Sequence, residues 1–310
     1  MRRFFTLLVA IVSVLTVSAQ KKEKPATAWK TGGMLSIMGG QSGSRNWAPA
    51  GSEKFSLTGM TSLNLWASKA WGKKTWDNTL DLNYALINTS SAGVRKIDDK
   101  IDLYSKYGYA LKKKNWGIGF VGNLRSQFTN GFDYTEMPRK RISGFFAPAY
   151  LVFSPGAQYR TTNGSFSAHA GLAARWVIVT NAPYSLNYQG GIKPDGSEER
   201  TIAELYGVDP ERQVRFEVGP YVSLLFKKEV VKNVMWKTRL DLNSDVVYEE
   251  PKNVDVYWTN SIGMTVNKWL QVNYSFDLFY DDNVRMFGIN KNVAATQMRS
   301  LLGVGLAAKF

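Results

Sequence analysis

His169 is the only histidine in the 310-residue chain, so any histidine-dependent catalysis must use it. Ser167 precedes it by two residues, on the same face if the segment is a strand. A serine beside an imidazole is the start of a nucleophile–base pair, and a hydrolase would add Asn, Asp or Glu to orient the ring. The competing reading, a histidine hydrogen-bonded inside the fold, is preferred, because a barrel lipid hydrolase needs its serine facing lipid or at a rim. One histidine and no cysteine leave no common zinc site. Asp98–Asp99 and Asp281–Asp282 fall in expected loops and offer oxygens for Ca²⁺, with solvated charge as the plainer reading. No metal and no cofactor are expected, and the chain reads as a non-enzyme.

A second set of residues does its chemistry by charge. Asp81, Asp102, Lys106, Arg125, His169, Arg175, Arg215, Glu217, Lys237, Arg239, Asp241, Asp245, Asp255 and Asp277 all lie on the polar face of segments that alternate apolar and polar. If those segments close into a barrel, this face is the lumen. Both signs occur, so the charges either pair across the interior and plug it or line a narrow water channel. The mixed signs argue against strong anion or cation selectivity.

The elements that must position these residues are strands. Phe55 to Ala67 sets Phe55, Leu57, Leu63 and Leu65 against Ser56, Thr58, Ser62 and Asn64. Leu270 to Tyr280 sets Leu270, Val272, Tyr274, Phe276 and Leu278 against Gln271, Asn273, Ser275 and Asp277. The same period of two marks 34–41, 76–86, 101–111, 116–128, 142–159, 166–178, 214–226, 234–248, 254–266 and 294–310, which makes twelve strands. The segment 142–159 is apolar on both faces, and Pro148 and Pro155 suggest bulges in it. Connections near Lys73, Lys113, Asn163, Lys228 and Lys268 are short. Those at 42–54, 89–98, 129–141, 181–212 and 281–293 are long, and only 249–253 breaks the alternation.

Short turns at one end and long loops at the other, with an even strand count, are the pattern of an outer-membrane barrel. Trp66, Trp76, Trp116, Trp176, Trp236, Trp258 and Trp269 lie near strand ends, as interfacial girdles require. The chain ends on the alternating segment Leu302 to Phe310, and Phe310 is read as the signal for the barrel-assembly machinery.

Residues 1–19 read as a cleaved secretory signal peptide: Arg2 and Arg3, an apolar run from Phe4 to Val17, then Val17-Ser18-Ala19 before Gln20. Residues 20–32 are a periplasmic lead-in and 33–310 the barrel. Loss of Arg2 and Arg3 takes the net charge from +14 to +12. Mean hydropathy is −0.24 and no later run of about 18 apolar residues exists, which excludes a transmembrane helix. Without cysteine, an exported chain must rely on its core, its sheet or a membrane.

The basic excess sits in the expected short turns, at Lys73, Lys74, Lys112, Lys113, Lys114, Lys227, Lys228, Lys232 and Lys268. Solvated turns are the plainer reading, with inner-leaflet phosphates or an acidic periplasmic partner as the alternative. Arg139, Lys140 and Arg141 would lie outside, near lipopolysaccharide phosphates. Nucleic acid is not a credible partner of an exported chain with this layout.

Several stretches resemble a family of Bacteroidetes-type outer-membrane β-barrels catalogued as a domain of unknown function. They are Asn46-Trp47-Ala48 with Gly51, Trp76-Asp77-Asn78-Thr79-Leu80, Arg95 to Asp99, Ser105-Lys106-Tyr107-Gly108, Arg125 to Phe132, and Phe145 to Tyr150. The resemblance fades after Trp176. It implies a barrel in the cell outer membrane, in contact with lipid and lipopolysaccharide, and implies no activity. The functional expectation is a passive pore or structural barrel with a charged lumen. The alternatives are an accessory subunit of a larger outer-membrane complex, with a membrane-protein partner at 181–212 or 142–159, and a lipid hydrolase using Ser167 and His169.

Overall fold

The computed structural model describes residues 28–43, 55–134, 139–180, 199–247, 253–288 and 292–310. The expected signal peptide and most of the lead-in lie outside these residues. Twelve antiparallel strands close one barrel: β1 (Lys30–Gly43), β2 (Phe55–Trp71), β3 (Lys74–Thr89), β4 (Gly93–Ala110), β5 (Trp116–Ser126), β8 (Ala149–Arg160), β9 (Phe166–Ile178), β10 (Val214–Val231), β11 (Val234–Ser244), β12 (Val254–Thr265), β13 (Leu270–Tyr280) and β16 (Gln297–Lys309). The connections hold two small hairpins, β6 (Gly131–Asp133) with β7 (Lys140–Ser143) and β14 (Arg285–Phe287) with β15 (Val293–Ala294), and one helical turn, α1 (Ile202–Leu205).

The ring shuts where β1 pairs β16, from Met34 opposite Lys309 to Gly39 opposite Val304. Phe310 extends that seam: its carbonyl accepts from the Gly33 N–H at 2.9 Å, and its own N–H donates to the Gly33 carbonyl at 3.1 Å. Closure leaves no unpaired sheet edge, which is what a sheet in a water-free surrounding requires. No helix among the described residues is long and apolar enough to cross a membrane, so the strands do the crossing. The shortest barrel strands have 11 residues, enough to span a bilayer core when tilted.

The period of two turns the apolar side chains outward. Leu172 and Leu302 are 62% and 66% exposed, and Ile118, Phe153, Phe216, Val304 and Leu306 join them. A continuous apolar exterior of this kind is unstable in water and stable against lipid tails. Around the short-turn end, outward aromatics form a chain of ring contacts: Trp76 with Tyr107, Trp116 with Tyr159, Tyr159 with Phe166, and Phe226 with Trp236. This closed, lipid-facing, antiparallel barrel is the architecture of an outer-membrane protein.

Four local expectations change. The segment 89–98 is no long loop: β3 and β4 are joined by residues 90–92, closed by Gly93 at φ 67° and by the Ala92 N–H donating to Thr89 Oγ1 at 3.2 Å. A bulge between Ala85 and Leu86 absorbs the odd residue, so Asp98 and Asp99 are strand residues and not a loop calcium site. The expected strand 142–159 is two elements, because Phe146 at φ 49° and Pro148 interrupt the ladder and only 149–160 enters the barrel. Pro155 makes no bulge: Phe153 opposite Ala174 and Gly156 opposite Gly171 keep one register. The turn after β10 is residues 232–233, with Asn233 at φ 67°, so Lys227 and Lys228 are strand residues; Lys74 likewise opens β3.

Trp66 also changes place. Outward Leu65 and Ala67 flank it, its partner across the ladder is Gly32, and it lines the interior at the short-turn end. A Cβ at Gly32 would lie 2.7 Å from the indole, so that glycine makes room for the ring.

Candidate functional site: a divided, charged lumen

The barrel interior carries three layers of polar contacts, each joining strands far apart in sequence. In the middle layer Arg239 of β11 reaches Asp102 of β4 at 2.5 Å and Asp241 at 3.2 Å. Asp102 also accepts from the Asn123 amide at 2.8 Å, and Asp241 accepts from the Tyr221 hydroxyl at 3.1 Å. Arg125 lies 3.9 Å from Asp241 and stacks 3.9 Å above the Tyr257 ring. Arg239 is 5% exposed and Asp102 3%, so each holds the other's charge out of water. Arg299 adds a fork to Asp98 and Asp277, the second of which faces it directly across the β13–β16 ladder.

Toward the loop end, Arg175 of β9 gathers Asp281 at 2.7 Å, Glu217 at 3.0 Å and Asp255. Arg215 pairs Glu217 at 2.6 Å and donates to the Gly207 carbonyl at 3.1 Å, which ties the wall to the connection carrying α1. That connection folds inward. Ile202, Ala203, Tyr206 and Val208 pack with Ala147, Val177, Val179 and Val284 into a buried apolar cap over the barrel mouth. Thr201 and Glu204 form a reciprocal capping box at the start of α1, so a four-residue helix holds its shape. The Tyr206 hydroxyl donates to the Ile142 carbonyl at 3.1 Å, and burial pushes its phenol above the usual tyrosine range. Asp245 lies just past β11 and accepts from the Val247 N–H at 2.9 Å and more weakly from the Val218 N–H at 3.4 Å, a turn-holding role.

Oxygens of Asp255, Asp281 and Asp282 converge within 4.8 Å of one another. The Arg175 guanidinium already neutralises two of them, and Asn253 donates to the third at 2.8 Å, so the group reads as an ion-pair network.

Toward the short-turn end, Lys237 crosses the lumen to Asp81 at 2.9 Å, and Asp81 also accepts from the Asn64 amide. The Lys106 ammonium reaches the Ala168 carbonyl at 3.4 Å. His169 is 1% exposed, and its Nε2 meets Ser154 Oγ of the neighbouring strand at 3.0 Å. Ser167, its partner in the alternative hydrolase reading, makes no hydrogen bond with it; Ser154 does. Ser154 is fully buried, and His169 Nδ1 has no hydrogen-bond partner among the described residues. A hydrolase needs an accessible serine and an oriented ring, and this pair has neither.

Two cavities flank the middle layer. An upper one of about 440 Å³ lies beneath the cap, lined by Tyr150, Tyr206, Met286 and Arg125. A lower one of about 450 Å³ opens toward the short-turn end, lined by Ser36, Asn83, Trp66, Lys227 and Lys309. Lys100 and Asp277 line both, so the two are separated only by the side chains of this layer. Lys100, Arg299, Tyr257 and Ser154 were not singled out from the sequence. Lys100 shares the inward parity of Asp98 and Asp102, and that parity was the signal available; an expected loop at 89–98 hid it.

The family described as "protein of unknown function (DUF3078)" matches residues 40–132. That span contains most of the residues that carried the resemblance and stops before Phe145 to Tyr150. No curated protein sequence matches the chain. Among solved structures, the chain is similar to the NanC porin, at 12% identity and TM-score 0.35, covering 88% of this chain and 98% of that one. It is also similar to an outer-membrane channel from Pseudomonas putida F1, at 10% identity and TM-score 0.39, covering 94% and 99%. A third is the translocator domain of the autotransporter NalP from Neisseria meningitidis, at 9% identity and TM-score 0.33, covering 100% and 95%. The barrel assignment rests on the strand pairing and exterior described above.

Proposed function

We propose that this chain is a narrow outer-membrane pore for small polar solutes, closed at rest, and that it is not an enzyme. The observation that carries the reading is the divided lumen: two chambers of about 440 and 450 Å³, each with room for many waters, separated by one layer of charged side chains. A barrel serving only as a scaffold gains nothing from leaving such space unfilled, since each void forfeits packing. In this reading the short turns face the periplasm, the long connections face outward, and lumen charges position solutes. Phe310 serves as the assembly signal while its backbone completes the β1–β16 seam. Residues 1–19 direct export.

Single-channel recording of the folded chain in planar bilayers tests the pore. The wild type is expected to show rare, small openings. Arg125→Glu is expected to shift the reversal potential under a salt gradient, because Arg125 borders the upper chamber. Folded variants that stay silent even with the cap and the charge layer both disrupted would leave only a structural barrel.

A further inference from the structure

The charge balance of the lower chamber is broken once its ion pairs are assigned. Asp81 meets Lys237, Asp102 shares Arg239 with Asp241, and Asp98 and Asp277 share Arg299. Lys100, Lys227 and Lys309 also line it, and none of the three has a carboxylate at ion-pair distance among the described residues. The lining counts five cations, Lys100, Lys227, Lys237, Arg239 and Lys309, against four carboxylates, so the mixture of signs leaves a small net positive charge. Its remaining wall is neutral and rich in hydrogen-bonding groups, with Asn83, Thr259, Gln271 and Ser275 free of protein partners among the described residues. Ser36 is 1% exposed, and its hydroxyl has no hydrogen-bond partner among the described residues. A buried hydroxyl in that state is either strained or waiting for a ligand or water. At the mouth, the Trp66 indole stands inward over Gly32, a flat apolar surface beside polar groups.

We infer that the lower chamber binds a small hydroxylated carboxylate, a sugar acid in chemical class. The three lysines hold the carboxylate, the amides and hydroxyls hold the ring hydroxyls, and the indole covers the apolar face of the ring. The volume lies in the range of small-molecule sites, about 300–1,000 Å³. Simple anions would satisfy the lysines and leave the neutral wall unpaired; neutral sugars would do the reverse. The inference rests on the cavity and is independent of conduction, because binding is read without a bilayer current.

The test is isothermal titration of the full, detergent-folded chain with three probes: D-glucuronate, D-glucose and inorganic phosphate. Glucuronate is expected to bind at least tenfold more tightly than either of the others. Lys100→Ala and Lys227→Ala are each expected to weaken it at least fivefold, and Trp66→Ala to weaken it with the charge unchanged. Lys113→Ala, in a turn outside the chamber, should leave it as it is. Heat-modifiable migration on gels checks that each variant is folded. Three results would overturn the assignment: no glucuronate binding by folded wild type, equal binding by the Lys100→Ala/Lys227→Ala double variant, or phosphate binding as tight as glucuronate.

Discussion

At the scale of single residues, the lumen is governed by the rule that a buried charge needs its partner. Arg239 serves two acids, Asp102 and Asp241, both buried. Arg239→Met strands two carboxylates and is expected to destabilise the barrel by about 3–5 kcal/mol. The triple variant Arg239→Met/Asp102→Asn/Asp241→Asn, which leaves only the part-exposed Arg125 without its acid, should recover much of that loss. Urea unfolding in lipid vesicles measures both, and equal losses in the two would show that the pairs are not the cause. The residues of this layer were legible from parity alone, since Asp102, Arg239 and Asp241 all fall on polar faces. His169 shows the limit of such reading. Its contact is Ser154, from the next strand in the barrel, and the nearby Ser167 competes for attention only because it is close in sequence.

At the scale of elements, two joints carry the fold. The first is the seam between β1 and β16. Gly305 packs so near the Ile37 carbonyl and the Met38 backbone that no Cβ fits between them. Gly305→Val is therefore expected to block closure and sharply reduce the yield of heat-modifiable barrel in membranes, whereas Val304→Leu, which faces lipid, should not. The second joint is the cap. Ala203 is fully buried against Val177, Val179 and Val284. Ala203→Asp places an unpaired charge there and should expel the connection, seen as faster proteolysis within 199–213 while the strands stay protected. Unchanged cleavage would mean the cap is held by its ion pairs instead. The strands themselves were legible, because a period of two survives any local error. The sequence also offers a short helix near Ile202 to Tyr206, where α1 forms, but not its burial as a cap, because its apolar residues follow no period and are buried only by the strands they meet.

At the scale of the whole molecule, the cap and the charge layer stand in series along one lumen. Obstructions in series must both be removed, so effects on conductance should be far from additive. Ala203→Asp alone and Lys100→Ala/Asp277→Ala alone are each expected to leave currents near the wild-type level. The three substitutions together should give stable open steps. If one alone opens the pore fully, the other is no barrier, and the division of the lumen has a different purpose.

The sequence by itself determined the strand count, the inward and outward faces and the lipid-facing exterior. Each of these follows from local alternation, and a strand's faces are set by neighbours two residues away. Only the tertiary structure decided which charges meet. Lys237 and Asp81 are 156 residues apart, and Arg239 and Asp102 are 137. Those distances collapse through barrel closure and register, which no single strand encodes. The same closure left Lys100, Lys227 and Lys309 with no carboxylate at ion-pair distance among the described residues and set Trp66 inward, so the chemistry of the lower chamber is a property of the closed ring.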